Sequence, residues 1–415
     1  MRMLYFVQYF KPEKASGGVL VEDLLEGFAK HGWKVDVYTP TPTRGVTKEV
    51  RREYSKRGKR KEILYDGNLT IHRMPLYNEK GGFIPRTIRY SIFSLQCLFK
   101  GLLEPGEIVF SGSGPPTQGL IGGLIRKWTK KKFVYNLQDI FPDSLINSGM
   151  ASESSKIVQI GRKLEQFTYK NSDVIITISE DMECNIIKKN VDISKIRTVR
   201  NWIDVDKIKP VSRENNILFD ELNLNRDKFY VTYAGNIGHA QGIDLIVKTA
   251  ELLKNKENIQ FIIFGNGSEE NKVREEISKK ELKNITLFPL QPAERMSEVY
   301  SLGDVSLVSC TPGTGASGMP SKTWIIMGSG TPVLGFFDLG GEFEKVIKEA
   351  NCGVCIESGK IHELADKICE LSKDPSTVYE FGKNARRYAE EHVSKKKAVD
   401  RYIDIIEQIY KEPKR

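Results

Sequence analysis

The chain has 415 residues, 40% hydrophobic and 28% charged, with a formal net charge of +9. That length exceeds what one hydrophobic core usually serves, so two domains are expected. No apolar run approaches a membrane span. The start, interrupted by Gln8 and Pro12, lacks the small-residue cleavage site of a signal peptide. The six cysteines keep no framework spacing, so the expected compartment is the reducing cytoplasm.

Strand-like and helix-like segments alternate almost throughout, the pattern of parallel sheets with crossover helices, an α/β fold. In the first half, 4–9, 35–38, 63–74, 108–111, 133–137, 174–177 and 196–199 read as strands, with helices over 19–31 and 157–171. The first strand leads to a glycine turn at Gly17-Gly18. A basic stretch, 44–62, and an aromatic–aliphatic helix over 83–103 carrying Arg86, Arg89 and Lys100 follow. Basic residues beside an amphipathic helix suit an anionic membrane surface or a lipid-diphosphate substrate. Nucleic acid is not expected as a partner, because no helix-turn-helix, zinc finger or aromatic-interleaved basic sheet accompanies the charge.

The second half restarts the scheme at 229–234 and continues through strands at 259–264, 285–288, 305–308, 333–334 and 353–356. The polar stretch 206–227 reads as a linker. The domains are therefore expected at 1–205, rejoined by a last helix within 395–415, and at 206–394. Cys352 and Cys355 match C-x-x-C but lie in an apolar run with no second pair or histidine cluster, so buried thiols are expected. Most telling is Gly315-Ala-Ser-Gly-Met-Pro-Ser-Lys-Thr-Trp, a small-residue loop leading into a helix whose first turn holds Ser321, Lys322 and Thr323. Free backbone N–H groups, an ammonium and two hydroxyls make a receptor for a diphosphate.

The order Gly17-Gly18, Asn201-Trp-Ile-Asp204, Tyr233-Ala-Gly-Asn-Ile-Gly238, Gln241-Gly242, Phe264-Gly-Asn-Gly267 and Met319-Pro-Ser-Lys322 resembles retaining glycosyltransferases of family 4. Within them it is most similar to bacterial O-antigen and capsule enzymes of the L-fucosamine (N-acetylfucosamine) transferase type. The resemblance implies the GT-B architecture: two Rossmann-like domains with a cleft between them and a C-terminal helix crossing back to the first. It also implies a nucleotide-sugar donor, UDP-linked, and a polyprenyl-diphosphate-linked acceptor used at the inner face of the cell membrane. Donor contacts are expected from Gly17, Gly18, Gly235, Asn236, Gly238, Gln241, Gly265, Asn266, Gly267, Ser317, Gly318, Met319, Ser321, Lys322 and Thr323.

The chain departs from the wider family in several places. Gly235 and Gln241 stand where many members carry Arg and Lys, and Ser317 and Ile325 stand where many carry two glutamates. Gln138 falls where a histidine is common, and an amide cannot act as a base. The catalytic expectation therefore rests on Lys322, Asp139 and Gln138, with Asp143 on the acceptor side. Asp204-Val-Asp206 fits a metal-binding D-x-D, but it follows a strand and reads better as a turn. No metal or other cofactor is expected, and His239 is a further candidate in the donor loop. Two alternatives stay open: an epimerase of the UDP-N-acetylglucosamine type, which shares the architecture, and a nucleotide-sugar-binding scaffold without activity. The oligomeric state is not legible.

Overall fold

A computed structural model describes the chain except residues 14–16, 57–59, 78–81, 148, 316–318 and 414–415. The chain divides into unit 1, residues 1–200 with 398–415, and unit 2, residues 201–397.

Unit 1 runs β1 (Arg2–Phe6), α1 (Gly18–Lys30), β2 (Lys34–Pro40), α2 (Lys48–Ser55), β3 (Lys61–Leu64), β4 (Leu69–Met74), α3 (Phe83–Leu103), β5 (Ile108–Gly112), α4 (Thr117–Trp128), β6 (Lys132–Leu137), α5 (Asp143–Asn147), α6 (Lys156–Asn171), β7 (Val174–Thr177), α7 (Glu180–Lys188) and β8 (Ile196–Thr198). Its eight strands lie in the order β3-β4-β2-β1-β5-β6-β7-β8. All neighbours are parallel except β3 against β4. The central strands are buried on both faces. Leu4 and Phe6 join Val109, Phe133 and Tyr135 in one core. Tyr5 stacks on Phe110 at 4.6 Å on the other face, where Phe28 also meets Phe110.

Unit 2 runs α8 (Leu218–Glu221), β9 (Phe229–Asn236), α9 (Ile243–Leu252), β10 (Ile259–Asn266), α10 (Glu270–Lys279), β11 (Ile285–Phe288), α11 (Met296–Tyr300), β12 (Val305–Ser309), α12 (Lys322–Gly328), β13 (Val333–Phe337), α13 (Glu342–Ala350), β14 (Gly353–Glu357), α14 (Ile361–Leu371) and α15 (Pro375–His392). Its strands lie in the order β11-β10-β9-β12-β13-β14, all parallel. Side chains alternate between faces with the period of two that a strand imposes. Phe229, Val231 and Tyr233 enter one core, while Tyr230 and Ala234 enter the other.

After a break at Val393–Ser394 the last helix, α16 (Lys395–Lys411), enters unit 1. There its Tyr402 hydroxyl donates to Asn136 Oδ1 at 3.0 Å. Gly27 on α1 makes this packing possible, since an added Cβ would lie 2.2 Å from Val399 Cγ1.

Four sequence readings change. The single strand at 63–74 is a hairpin, β3 and β4, turned by Asp66 (φ 53°) and Gly67 (φ 88°). The first strand ends at Phe6, short of the expected Tyr9. The basic stretch holds a short helix, α2, whose Thr47 side chain accepts from Val50 N. The stretch 206–227 is no free linker: Leu218 and Phe219 are buried in the core of unit 2 with Tyr230 and Trp324.

Candidate active site

In a doubly wound sheet, ligands bind outside the carboxyl ends of the strands, where the strand order reverses. In unit 2 that point lies between β9 and β12. The turns leaving these two strands are bonded to each other. Thr311 N donates to Ala240 O at 3.0 Å, and Ser309 Oγ donates to Gln241 O at 2.7 Å. The Thr311 hydroxyl donates to His239 O. Gly242, at φ 62°, lets the turn press on the β12 end, because a Cβ there would lie 2.7 Å from Cys310 O.

Lys322 opens α12 and reaches this point. Its Nζ lies 3.8 Å from the centroid of the Tyr233 ring, a cation–π contact. No carboxylate of the described residues pairs with it. Gly235 makes the room, since an added Cβ would sit 2.9 Å from Lys322 Nζ. Burial pushes the ammonium down from the ordinary lysine value to about 7. A cation with no carboxylate partner among the described residues, beside a glycine turn, can receive an anion. Because α12 has seven residues, the ammonium rather than the helix dipole dominates there.

Around it, Asn236 Nδ2 donates to Gln241 Oε1 at 2.9 Å. Gly238 faces both, with a hypothetical Cβ only 2.6 Å from Asn236 Nδ2. His239, exposed, lines a cavity of about 130 Å³ with Gly238, Asp244, Lys272 and Thr311. Sequence reading missed Asp338, which follows β13 and accepts from Gly313 N at 3.0 Å and Gly315 N at 2.7 Å. It thereby anchors the loop that leads toward α12; an acid just after a buried strand was the available signal. Tyr233 was quoted only as part of a motif, and its ring proves to be the seat of the ammonium.

Several expected donor contacts have other duties. Thr323 is fully buried, and its hydroxyl is not presented to solvent. Gly265 and Gly267 serve strand packing: a Cβ would lie 2.3 Å from Gly235 O and 2.3 Å from Ile237 O. Asn266 O accepts from Ile237 N at 2.8 Å, leaving its side chain exposed. Met319 packs partly buried against the core, and Ser321 is exposed at the start of α12. Ser317 and Gly318 lie outside the described residues.

In unit 1 the order reverses between β1 and β5. Gly17 (φ 76°) and Gly18 start α1 there with open space where a side chain would stand. Ser113, after β5, accepts from Gln138 N at 3.1 Å and Asp139 N at 3.0 Å. Gln138 Nε2 donates to Asn136 Oδ1 at 3.1 Å, whereas the Asp139 carboxylate is exposed. Gln8, just past β1, is buried, and its amide has no hydrogen-bond partner among the described residues. Asp143 is not available as an acceptor-side base. Lys189 at 2.8 Å, Asn185 at 3.1 Å and Arg162 hold its carboxylate, and these partners overcome desolvation to lower its pKa.

Asp204 closes a turn, its Oδ1 accepting from Asp206 N at 3.2 Å and Lys207 N at 3.3 Å. Cys352 and Cys355 are free thiols, and burial pushes each up to about 12.

Comparison with known families matches the two halves separately. The model described as Glycosyltransferase Family 4 matches residues 17–207, and that described as Glycosyl transferases group 1 matches 214–388. Each half is thus similar to a glycosyltransferase family, and the fold is GT-B. It is 26% identical to the putative colanic acid biosynthesis glycosyl transferase WcaI of Escherichia coli K12, over 98% of this chain and 100% of that one. It is 28% identical to the probable glycosyltransferase WbjE of Pseudomonas aeruginosa, over 64% of this chain and 67% of that one. Among solved structures, Anabaena Alr3699/HepE in complex with UDP superposes with a TM-score of 0.73 at 12% identity, covering 98% of this chain and 100% of that one. At that identity the likeness speaks for the fold alone.

Proposed function

We propose that the chain transfers a sugar from a UDP-sugar to a polyprenyl-diphosphate-linked saccharide during assembly of a surface polysaccharide. The observation that carries the reading is the Lys322 ammonium, seated on Tyr233 without a carboxylate partner at the β9/β12 reversal. As the donor breaks, negative charge grows on the leaving diphosphate, and a fixed cation there lowers the barrier. Attack from the same face as departure retains the anomeric configuration, and Asp139 is the candidate to position the acceptor hydroxyl. The donor is a UDP-linked hexose or N-acetylaminosugar, in keeping with the resemblance to the L-fucosamine (N-acetylfucosamine) transferase type. The names of the WcaI and WbjE relatives support the glycosyltransferase class, and that of WcaI supports the polysaccharide setting.

No divalent metal takes part in this reading, because the ammonium and the turn amides supply positive potential and Asp204 is engaged in its turn. The test is UDP release from a panel of UDP-sugars, with and without a lipid-linked acceptor, in excess EDTA. Acceptor-dependent release is expected. An epimerised donor without acceptor would favour the epimerase reading, and donor binding without turnover would favour a scaffold. Complete inhibition by EDTA, restored by manganese, would overturn the metal-free mechanism.

A further inference from the structure

Two hydrogen bonds of unit 1 meet on one atom. Asn136 Oδ1, near the end of β6, accepts from the Tyr402 hydroxyl at 3.0 Å and from Gln138 Nε2 at 3.1 Å. An amide oxygen has two lone pairs, and both are used. Asn136 is 6% exposed and Tyr402 is fully buried. The relay Tyr402–Asn136–Gln138 therefore runs from α16 to the turn leaving β6 through the interior. The backbone closes a second link around it. Ser113 N donates to Asn136 O at 3.1 Å, and Ser113 Oγ accepts from Gln138 N and Asp139 N.

The packing of α16 does not itself need that hydroxyl. Its other buried residues, among them Val399, Ile403, Ile406 and Ile409, are aliphatic, and Tyr402 alone brings a polar side chain. The Tyr402 ring lies 6.3 Å from that of Phe110, a contact that a phenylalanine would make as well. A buried hydroxyl is unfavourable unless it is bonded, and the bond it makes is to Asn136. Burial pushes the phenol well above its ordinary value, so it remains a donor across the physiological range. Beyond Asn136 the relay reaches Gln138, which is half-buried. Asp139 follows, exposed between that tether and Ile140, which is buried in the core of unit 1. The far end of this segment is held by other means, the ion pairs of Asp143 with Lys189 and Arg162. The near end is held from α16, the part of unit 1 that follows unit 2 in the chain.

We infer that Tyr402 is a positioning residue of the reaction: through Asn136 its hydroxyl fixes the Gln138 side chain, and with it the turn that presents the Asp139 carboxylate. The seating of α16 thereby sets the geometry of the acceptor side, because a shift of the helix reaches Gln138 through two bonds. The inference rests on the proposed role of Asp139 toward the acceptor hydroxyl. The relay itself can be read without turnover.

Tyr402→Phe removes the hydroxyl and keeps the ring. UDP release by the full-length protein is followed with the UDP-sugar varied and with the lipid-linked acceptor varied. The expected result is an acceptor kcat/KM lowered roughly three- to tenfold, the worth of one hydrogen bond, with donor KM unchanged. Val399→Ala, which thins the packing of α16 against Gly27 and leaves the relay intact, should lower the melting temperature and keep wild-type acceptor kinetics. In a Gln138→Ala background Tyr402→Phe should add no further loss, because the two side chains act along one path. Hydrogen exchange supplies the reading that needs no turnover. The Gln138 and Asp139 amides, bonded to Ser113, should exchange faster in Tyr402→Phe than in wild type or Val399→Ala. Wild-type acceptor kinetics or unchanged exchange in Tyr402→Phe overturns the inference. Additive losses in the double variant, or equal effects of Val399→Ala, would make Tyr402 a packing residue and overturn it as well. A wild-type chain that releases no UDP would sink the proposed function, and the exchange comparison would then decide the relay by itself.

Discussion

Lys322 places a cost on the unliganded protein that its ligand should relieve. Its folded value, about 7, lies below the ordinary 10.5. Between those values the unfolded chain holds a proton that the folded chain has lost, so this group's contribution to stability rises with pH across the window. Below about pH 7 the full penalty of the buried cation remains. Lys322→Met should therefore raise the ligand-free Tm near pH 6, with the gain shrinking toward pH 10. The same variant should lose donor affinity roughly ten- to a hundredfold, the worth of a charge-assisted bond of about 1.5–3 kcal/mol. Wild-type affinity for UDP should fall as pH rises above about 7, a slope missing from the variant. Calorimetric titration at several pH values, beside thermal melts, reads both effects. Ser321-Lys322-Thr323 could be read as a candidate phosphate-type motif because its short spacing lies in one stretch of sequence. The seat on Tyr233 and the room at Gly235 could not, since they come from a strand remote in sequence. Thr323 misled for the converse reason: a hydroxyl one position along a helix points a hundred degrees away, here into the core.

Between elements, small residues decide which surfaces meet. Gly27→Ala should destabilise unit 1 by about 1–3 kcal/mol through overpacking against Val399, and Val399→Ala should restore most of the loss. Denaturant melts of the two single variants and the double variant give the coupling. If Gly27→Ala melts like wild type, α1 and α16 do not meet as described. Asp338→Ala should release the Gly313 and Gly315 amides and raise KM for the donor several-fold, with less effect on melting. Equal donor KM in the variant would show that this loop does not shape the site. Element order was largely legible because buried parallel strands read as continuous apolar runs. The β3–β4 hairpin was missed because its Asp66-Gly67 turn, the signal to weigh, was read through as strand. The stretch 206–227 looked like a linker because its polar composition outweighed the single buried pair Leu218 and Phe219.

At the scale of the molecule, the chain path is unevenly divided. Unit 1 is built from 1–200 and closed by 398–415, whereas unit 2 is continuous in sequence. Removing residues 398–415 takes Tyr402 from Asn136 and uncovers the Phe110 face. The truncated chain should show a lowered, broadened melting transition for unit 1 while unit 2 keeps its UDP-induced stabilisation. Loss of UDP binding in that variant would mean that the donor site needs more than unit 2. The GT-B pattern was readable from two restarting strand–glycine–helix schemes. Asp143 was not readable, because its partners Lys189 and Arg162 come from other helices.

The late return of α16 also sets an order on synthesis. Unit 1 cannot complete its aromatic layer until residues 398–411 have left the ribosome, and by then all of unit 2 has emerged. The domain translated first is thus finished last, and meanwhile Tyr5, Phe28 and Phe110 lack the cover that Tyr402 gives. Nascent chains stalled before residue 398 should be cut by protease in unit 1 and resist it in unit 2. Chains stalled well beyond residue 411 should resist in both.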